Sequence, residues 1–218
     1  MRQRVTLSGT SADLKSRRSR EDLINCFLEI DSSGSFMRIT RAPCFRLLSA
    51  VGAGPIRDIY VAGSIVYLVS GSEFYRCTIG ITGALSSVLK GSVTNSNGIC
   101  SIESIGTDFP QIQIICGGIG YIYDEATSVF SQITDVDFTP DQYSTSFNSR
   151  FWLNKPNSNE FFGSDILDGM AYDSLFFASA DSFPDALKRC KALNTEILMF
   201  STASIRDGKI LAYLLDSH

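Results

Sequence analysis

Gly63-Ser-Ile-Val-Tyr67-Leu-Val-Ser-Gly71-Ser-Glu-Phe-Tyr75-Arg76 decides the fold, because a segment of this kind returns along the chain. It comes back as Gln111-Ile-Gln-Ile-Ile-Cys116-Gly-Gly-Ile-Gly-Tyr121-Ile-Tyr123-Asp124, and as Arg150-Phe-Trp152-Leu-Asn-Lys-Pro-Asn-Ser-Asn-Glu160-Phe161-Phe162-Gly163. A partial copy stands at Thr195-Glu-Ile-Leu-Met-Phe200. Each copy has an alternating apolar run and a Gly/Ser/Asn turn, and the first three add a second aromatic-bearing run. That is the signature of a β-hairpin. Recurrence roughly every 40–50 residues is the spacing of propeller blades and not of helical repeats. The fold class expected is all-β: a propeller-like array of antiparallel hairpin blades behind a basic N-terminal arm. At four-odd copies the array is expected to be incomplete, leaving exposed sheet edges.

Working outward from the hairpins, Asn25–Ile30 and Phe36–Thr40 read as two strands joined by the turn chemistry of Asp31-Ser-Ser-Gly-Ser35. Phe45–Val51 is read as a strand, and Ser86–Leu89 and Ile99–Ser104 as weak ones. Thr127–Phe130 suggests another. Asp168-Gly169 is a two-residue turn signal. Leu175-Phe-Phe-Ala178 reads as a buried strand. A short helix is expected within Ser182–Leu193 and a helical turn near Ala12–Arg20. The domain boundaries predicted are a basic arm at 1–22, the propeller-like domain at 23–200 and a divergent tail at 201–218.

Composition narrows the classes. In 218 residues, 44% are apolar and 19% charged, an ordered globular balance. No apolar run reaches the ~18–20 residues that span a bilayer, and the start of the chain does not read as a secretory signal. Residues 1–20 hold six basic side chains against Asp13 alone, which leaves −9 on the remainder of a chain whose total is −4. A basic arm on an acidic body suits docking on an acidic neighbour or on phosphate, and a solvated, solubilising tail is the plainer alternative. Arg17, Arg18 and Arg20 are the partner-contact candidates.

Catalytic chemistry finds little to use. The single histidine is the last residue, His218, a poor place for an ordered general base or metal ligand. Six cysteines at 26, 44, 77, 100, 116 and 190 form no Cys-x-x-Cys pair, so no metal site is expected and reduced, buried thiols are. The carboxylates Asp135 and Asp137, and Asp165, Asp168 and Asp173, could be taken for a glycosidase pair; turn-capping by Asp is the favoured reading. Gly117-Gly-Ile-Gly120 resembles a phosphate loop, but a strand follows where a helix would be needed. Tyr60, Tyr67, Tyr75, Tyr121, Tyr123, Trp152, Phe161 and Phe162 could stack sugars or bases; their recurrence favours packing between blades. No catalytic, cofactor-binding or metal residue is assigned.

Stretches in order carry a resemblance. They are Ser19-Arg-Glu-Asp-Leu-Ile-Asn25-Cys-Phe-Leu-Glu29, Arg38-Ile-Thr-Arg-Ala-Pro43, Gly52-Ala-Gly-Pro55-Ile-Arg57 and Tyr67-Leu-Val-Ser-Gly71-Ser-Glu-Phe-Tyr75-Arg76. Gly118-Ile-Gly-Tyr121-Ile-Tyr-Asp124, Ile133-Thr-Asp135-Val-Asp137-Phe138, Phe162-Gly-Ser164-Asp-Ile-Leu-Asp168-Gly169-Met-Ala-Tyr-Asp173 and Phe176-Phe-Ala178-Ser-Ala180-Asp-Ser-Phe-Pro184-Asp185 follow. Together they resemble the N-terminal half of the packaged-DNA stabilisation proteins, the tail hub or nozzle components, of short-tailed bacteriophages. Members are typically about twice as long, and Ser201–His218 departs from their pattern. The resemblance implies a non-enzymatic virion protein, assembled in the host cytoplasm, in a homo-oligomeric ring below the portal and adaptor. It would close or extend the DNA channel and hold packaged DNA in the capsid. Its partners would be the adaptor, tail needle or fibre components, with DNA in the channel; no cofactor, membrane or small-molecule substrate is implied. Two other readings stand beside it: a propeller-type glycan-binding or glycan-cleaving module, and a non-functional prophage fragment of a hub gene.

Overall fold

Runs such as Ile65–Val69 are apolar at every position and Ile112–Cys116 at every position but Gln113, the pattern of strands covered on both faces. The structure, a computed structural model, describes residues 26–30, 37–41, 49–81, 83–108, 110–179, 186–193, 196–201 and 205–206. Among them are seventeen strands and no helix. The chain divides into two compact units, Met1–Leu47 and Leu48–His218.

The described residues of the first unit form an antiparallel hairpin, β1 (Cys26–Ile30) with β2 (Met37–Arg41). The helical turn expected near Ala12–Arg20 lies outside the described residues.

The second unit is a succession of antiparallel meanders. Blade 1 is β3 (Ile56–Ala62), β4 (Ile65–Ser70), β5 (Glu73–Ile79) and β6 (Leu85–Ser92). Blade 2 is β7 (Cys100–Ile105), β8 (Gln111–Cys116), β9 (Ile119–Asp124) and β10 (Val129–Gln132). Blade 3 is β11 (Ser144–Phe147), β12 (Arg150–Asn154), β13 (Glu160–Asp165) and β14 (Asp168–Ser179). Blade 4 has three described strands, β15 (Leu187–Ala192), β16 (Ile197–Ser201) and β17 (Ile205–Arg206). The repeated hairpins of the sequence are the central pairs β4–β5, β8–β9 and β12–β13. The all-β, incomplete propeller-like array is the architecture observed.

Strand periodicity divides each central strand between two interfaces. Ile112, Ile114 and Cys116 of β8 face blade 1 and meet Tyr67, Val69 and Phe74. Ile115, one position out of phase, faces blade 3 and meets Phe151, Leu153 and Phe162. Trp152 and Phe161 turn the other way, toward Leu187, Cys190 and Met199 of blade 4. The aromatic residues are the mortar: Phe130 stacks on both Phe74 and Tyr121, with centroids 5.5 and 5.3 Å apart. Gly91 is small because Phe130 lies against it; a Cβ there would fall 2.2 Å from the ring.

Several local expectations are corrected. The turn before β14 is Ile166-Leu167, not Asp168-Gly169: Asp165 pairs with Asp168, and Leu167 takes the left-handed conformation at φ 57°. Leu175–Ala178 is a strand but not a buried one. β14 is the outer strand of its blade, and Leu175 and Phe177 are 82% and 46% exposed. The region read as a short helix contains β15 over its described part. Ser49–Val51, the described end of the strand expected at Phe45–Val51, is not in a strand.

The cysteines need the largest correction. Cys100 and Cys116 are joined by a disulfide. They are directly opposed in the β7–β8 register with Cα atoms 4.5 Å apart, the close spacing of a non-hydrogen-bonded pair. Cys77 and Cys190 are the buried free thiols expected.

Candidate functional site

Hydroxyls and carboxylates on the first strands of blades 1 to 3 form the most ordered polar arrangement among the described residues of the second unit. The first strands of all four blades, β3, β7, β11 and β15, neighbour one another in chain order. Each of the first three offers a side-chain oxygen to a backbone amide of the next. Asp58 Oδ2 accepts from Ile102 N at 2.8 Å, Ser101 Oγ from Ser144 N at 3.3 Å, and Thr145 Oγ1 from Ala192 N at 2.9 Å. Three latches thus recur at separations of 44, 43 and 47 residues. Their physical cause is plain at the last: Leu193 and Glu196 exchange backbone bonds, so the neighbouring Ala192–Ile197 pair is non-hydrogen-bonded. The Ala192 N–H therefore points away from its own sheet, toward β11, and a buried amide needs an acceptor.

Charges reinforce the latches. Lys191 of blade 4 pairs with Glu103 of blade 2, and Ser146 of blade 3 donates to the other oxygen of Glu103 at 3.4 Å. Tyr60 and Ser104 join blades 1 and 2 at 2.7 Å. The Arg57 guanidinium donates to the carbonyls of Gly71, Asn95 and Gly98, tying β3 to the segment leading into β7. Burial holds the Asp58 carboxyl above the usual carboxylate range, against the pull of two backbone amides and of Arg189 and Lys191. Farther out, Glu125 of blade 2 receives Arg76 at 2.6 Å and the Tyr67 hydroxyl at 3.0 Å. Desolvation first, and that carboxylate second, push the Tyr67 phenol well up.

Three of the five candidate carboxylates accept backbone amides. Asp135 accepts from Asp137 N and Tyr172 N, Asp168 from Met170 N, and Asp173 from Leu175 N. Asp165 pairs with Arg150. Gly117 and Gly118, at φ 63° and 79°, make the β8–β9 hairpin turn and cradle no helix end. Tyr67, Tyr121, Tyr123, Trp152, Phe161 and Phe162 are buried between blades. A shallow hollow of about 410 Å³ between blades 2 and 3 is lined in part by Gln111 and Asp124, whose oxygens already accept Gly169 N and Thr127 N. Among the described residues no group of three His, Cys, Asp or Glu side chains could hold a metal. Arg17, Arg18 and Arg20 lie outside the described residues.

The latch residues Asp58, Ser101 and Thr145 were not singled out in the sequence. A recurrence of about 43–47 residues between a small polar side chain and a strand amide in the next blade is the signal that could have found them. The arrangement joins blades; it does not gather a nucleophile, base and electrophile around open space.

A family model described as "Bacteriophage P22 Gp10, beta-propeller" matches residues 24–208. No curated protein matches significantly. Among solved structures, a chain of the crystal structure of the mitotic checkpoint complex is similar at 10% identity, over 73% of this chain and 55% of that one, with a TM-score of 0.41. PorZ, an essential bacterial surface component of the type-IX secretion system of Porphyromonas gingivalis, is similar at 12% identity, over 67% and 25%, with a TM-score of 0.38. The chain thus spans about half and a quarter of those structures, and at these scores neither carries an argument.

Proposed function

We propose a role from one premise: the chain belongs to the bacteriophage P22 Gp10 β-propeller family, a family of phage structural proteins. On this reading it is a structural component of the virion that stabilises packaged DNA. It works as a hub or nozzle subunit below the portal and adaptor, in a homo-oligomeric ring, and closes or extends the DNA channel. Its neighbours are the adaptor and the needle or fibre proteins. It is assembled in the host cytoplasm, uses no cofactor and performs no catalysis. The basic arm at 1–22, with Arg17, Arg18 and Arg20, reaches an acidic neighbour or phosphate, while residues 23–200 supply the propeller-like domain and 201–218 a divergent tail.

The observation that carries the reading is the family match across most of the chain. The latches support it physically. A channel component must resist distortion under the pressure of packaged DNA, and blades cross-linked at their first strands deform as one body. A glycan-binding reading would need exposed aromatic platforms, and six of the eight candidate aromatics are buried in the blade interfaces.

The test is a phage lacking the gene. Mass spectrometry of wild-type virions should detect the chain, and heads made without it should package DNA and then lose it to nuclease. Heads that keep nuclease-resistant DNA and full titre without the chain would refute the role.

A further inference from the structure

Cys100 and Cys116 sit opposite each other inside blade 2, 3% and 0% exposed, in the cluster shared with blade 1. We infer that their disulfide closes only after the blade has folded and has left the reducing cytoplasm, with dioxygen as the oxidant, and that it then acts as a post-assembly lock between β7 and β8. The inference rests on the virion reading only for where oxidising surroundings are met.

Pairing does not need the bond. Six registered residue pairs join β7 to β8 and six more join β8 to β9, so the ladder itself brings the two thiols together. Before oxidation both are small apolar side chains in an apolar cluster and leave no polar group in want of a partner. Small thiols keep the pair reduced until the blade closes over it, and burial then slows every later reaction of the two sulfurs, so the newly folded blade still carries the dithiol while it remains in the cytosol. Burial then selects the oxidant. A protein oxidoreductase must touch sulfur with its own sulfur and cannot reach these atoms in the folded blade. Dioxygen is small and apolar and can enter the cluster. Two S–H bonds break, one S–S bond forms, and dioxygen takes the two electrons and two protons to become hydrogen peroxide.

The position excludes competing bonds. Among the described cysteines, Cys77 packs in a separate cluster with Val51 and Leu68, and Cys190 packs with Trp152 and Met199 at the other end of the array. Neither shares a cluster with the pair, so oxidation has one product there. The location suits a lock. β7 neighbours both β3 and β11, and Ser101, beside Cys100, is a latch residue. Fixing β7 to β8 fixes the strand on which both neighbouring blades are hung.

The experiment counts thiols on the full chain. Cells making the protein are quenched anaerobically in denaturant with excess iodoacetamide, and a second sample is purified under reductant, then exposed to air before the same treatment. Peptide mapping should find Cys100 and Cys116 alkylated in the first sample and joined in the second. The dithiol form kept under reductant should retain the far-UV strand signal. On air exposure the wild type should gain thermal midpoint, and C100A/C116A should not. A disulfide already present in the quenched cells, thiols still free after prolonged air exposure, or loss of the strand signal under reductant would each overturn the inference. The counts are made on isolated chain, so they stand or fall independently of whether virions contain it.

Discussion

Replacing Thr145 by valine removes one oxygen and almost no volume, which makes it the sharpest probe of the latches. Thr145 is 1% exposed, and its Oγ1 is the partner of the Ala192 amide, 2.9 Å away. In Thr145→Val that amide is left facing a methyl group, with no ladder partner because of its place in the β15–β16 register. A buried donor stripped of its acceptor costs about 1–3 kcal/mol, and Ala192, which is half-buried, falls at the low end near 1 kcal/mol. At about 2–4 °C per kcal/mol for a chain of this size, the thermal midpoint should fall by roughly 2–4 °C. Thr145→Ser keeps the hydroxyl and gives up one buried methyl, worth about 0.8 kcal/mol. Hydrogen exchange separates the two: protection of the Ala192 amide should collapse in the valine variant and persist in the serine variant. A valine variant within about 0.5 kcal/mol of wild type, with Ala192 still protected, would refute the latch as an energetic element.

The remaining expectations use other features. Asp58→Asn keeps the acceptor for only one of the two amides, Ile102 N and Ile59 N, that the carboxylate serves, and it removes a charge that burial disfavours. Because the folded pKa is raised, ionisation of Asp58 opposes folding as pH rises, so by urea midpoint the asparagine variant should gain on wild type between pH 3 and pH 7; a difference between the two that is independent of pH would contradict this. Burial pushes the Cys190 thiol up to about 12 and raises the Cys77 thiol and the Tyr67 and Tyr172 phenols. Groups with raised folded pKa values stabilise below their unfolded values and lose that contribution on the alkaline side. Stability should therefore fall steeply from about pH 9 upward, whereas a thermal midpoint flat to pH 11 would contradict this. Gly91→Ala should drive a methyl into the Phe130 ring and cost about 1–3 kcal/mol, with Phe130→Leu recovering part of the loss; no loss by denaturant titration would count against the packing. Reducing the Cys100–Cys116 bond reopens a loop of separation 16 and should cost about 3 kcal/mol in urea-midpoint measurements, an effect absent in C100A/C116A.

The strand pairs at the centre of each blade were legible because their residues are buried on both faces. Apolar density there, as at Tyr67–Val69 and, around the single buried Gln113, at Ile112–Ile115, leaves no solvated polar face to confuse the period. The blade edges were harder. Leu187 and Cys190 lie three apart and look helical, but a register shift between Leu187 and Arg189 puts both on the buried face of a strand. Leu175-Phe-Phe has the composition of a core strand, but only Phe176 packs inward, against Trp152, while Leu175 and Phe177 alternate to the exposed face of the outer strand. The disulfide depends on register, which no cysteine count reveals. The latches depend on which amides the ladder leaves over, a property of pairing and not of composition. The reading of the aspartates as caps rested on local turn chemistry, which the Asp135–Asp137 and Asp168–Met170 bonds follow; the reach of Asp135 to Tyr172 N, the Asp165–Arg150 pair and the place of Asp173 inside β14 come from tertiary structure.

One consequence of the meander topology concerns birth on the ribosome. Every sheet pairs only strands adjacent in sequence, so each blade can form as soon as its own segment has emerged. Entropy of loop closure is met in small instalments, never across the whole chain. Among the described residues Lys191 reaches much farther, back to Glu103, 88 residues earlier. That contact cannot form until blade 4 has been made, so it marks the moment when separately grown modules become a single object.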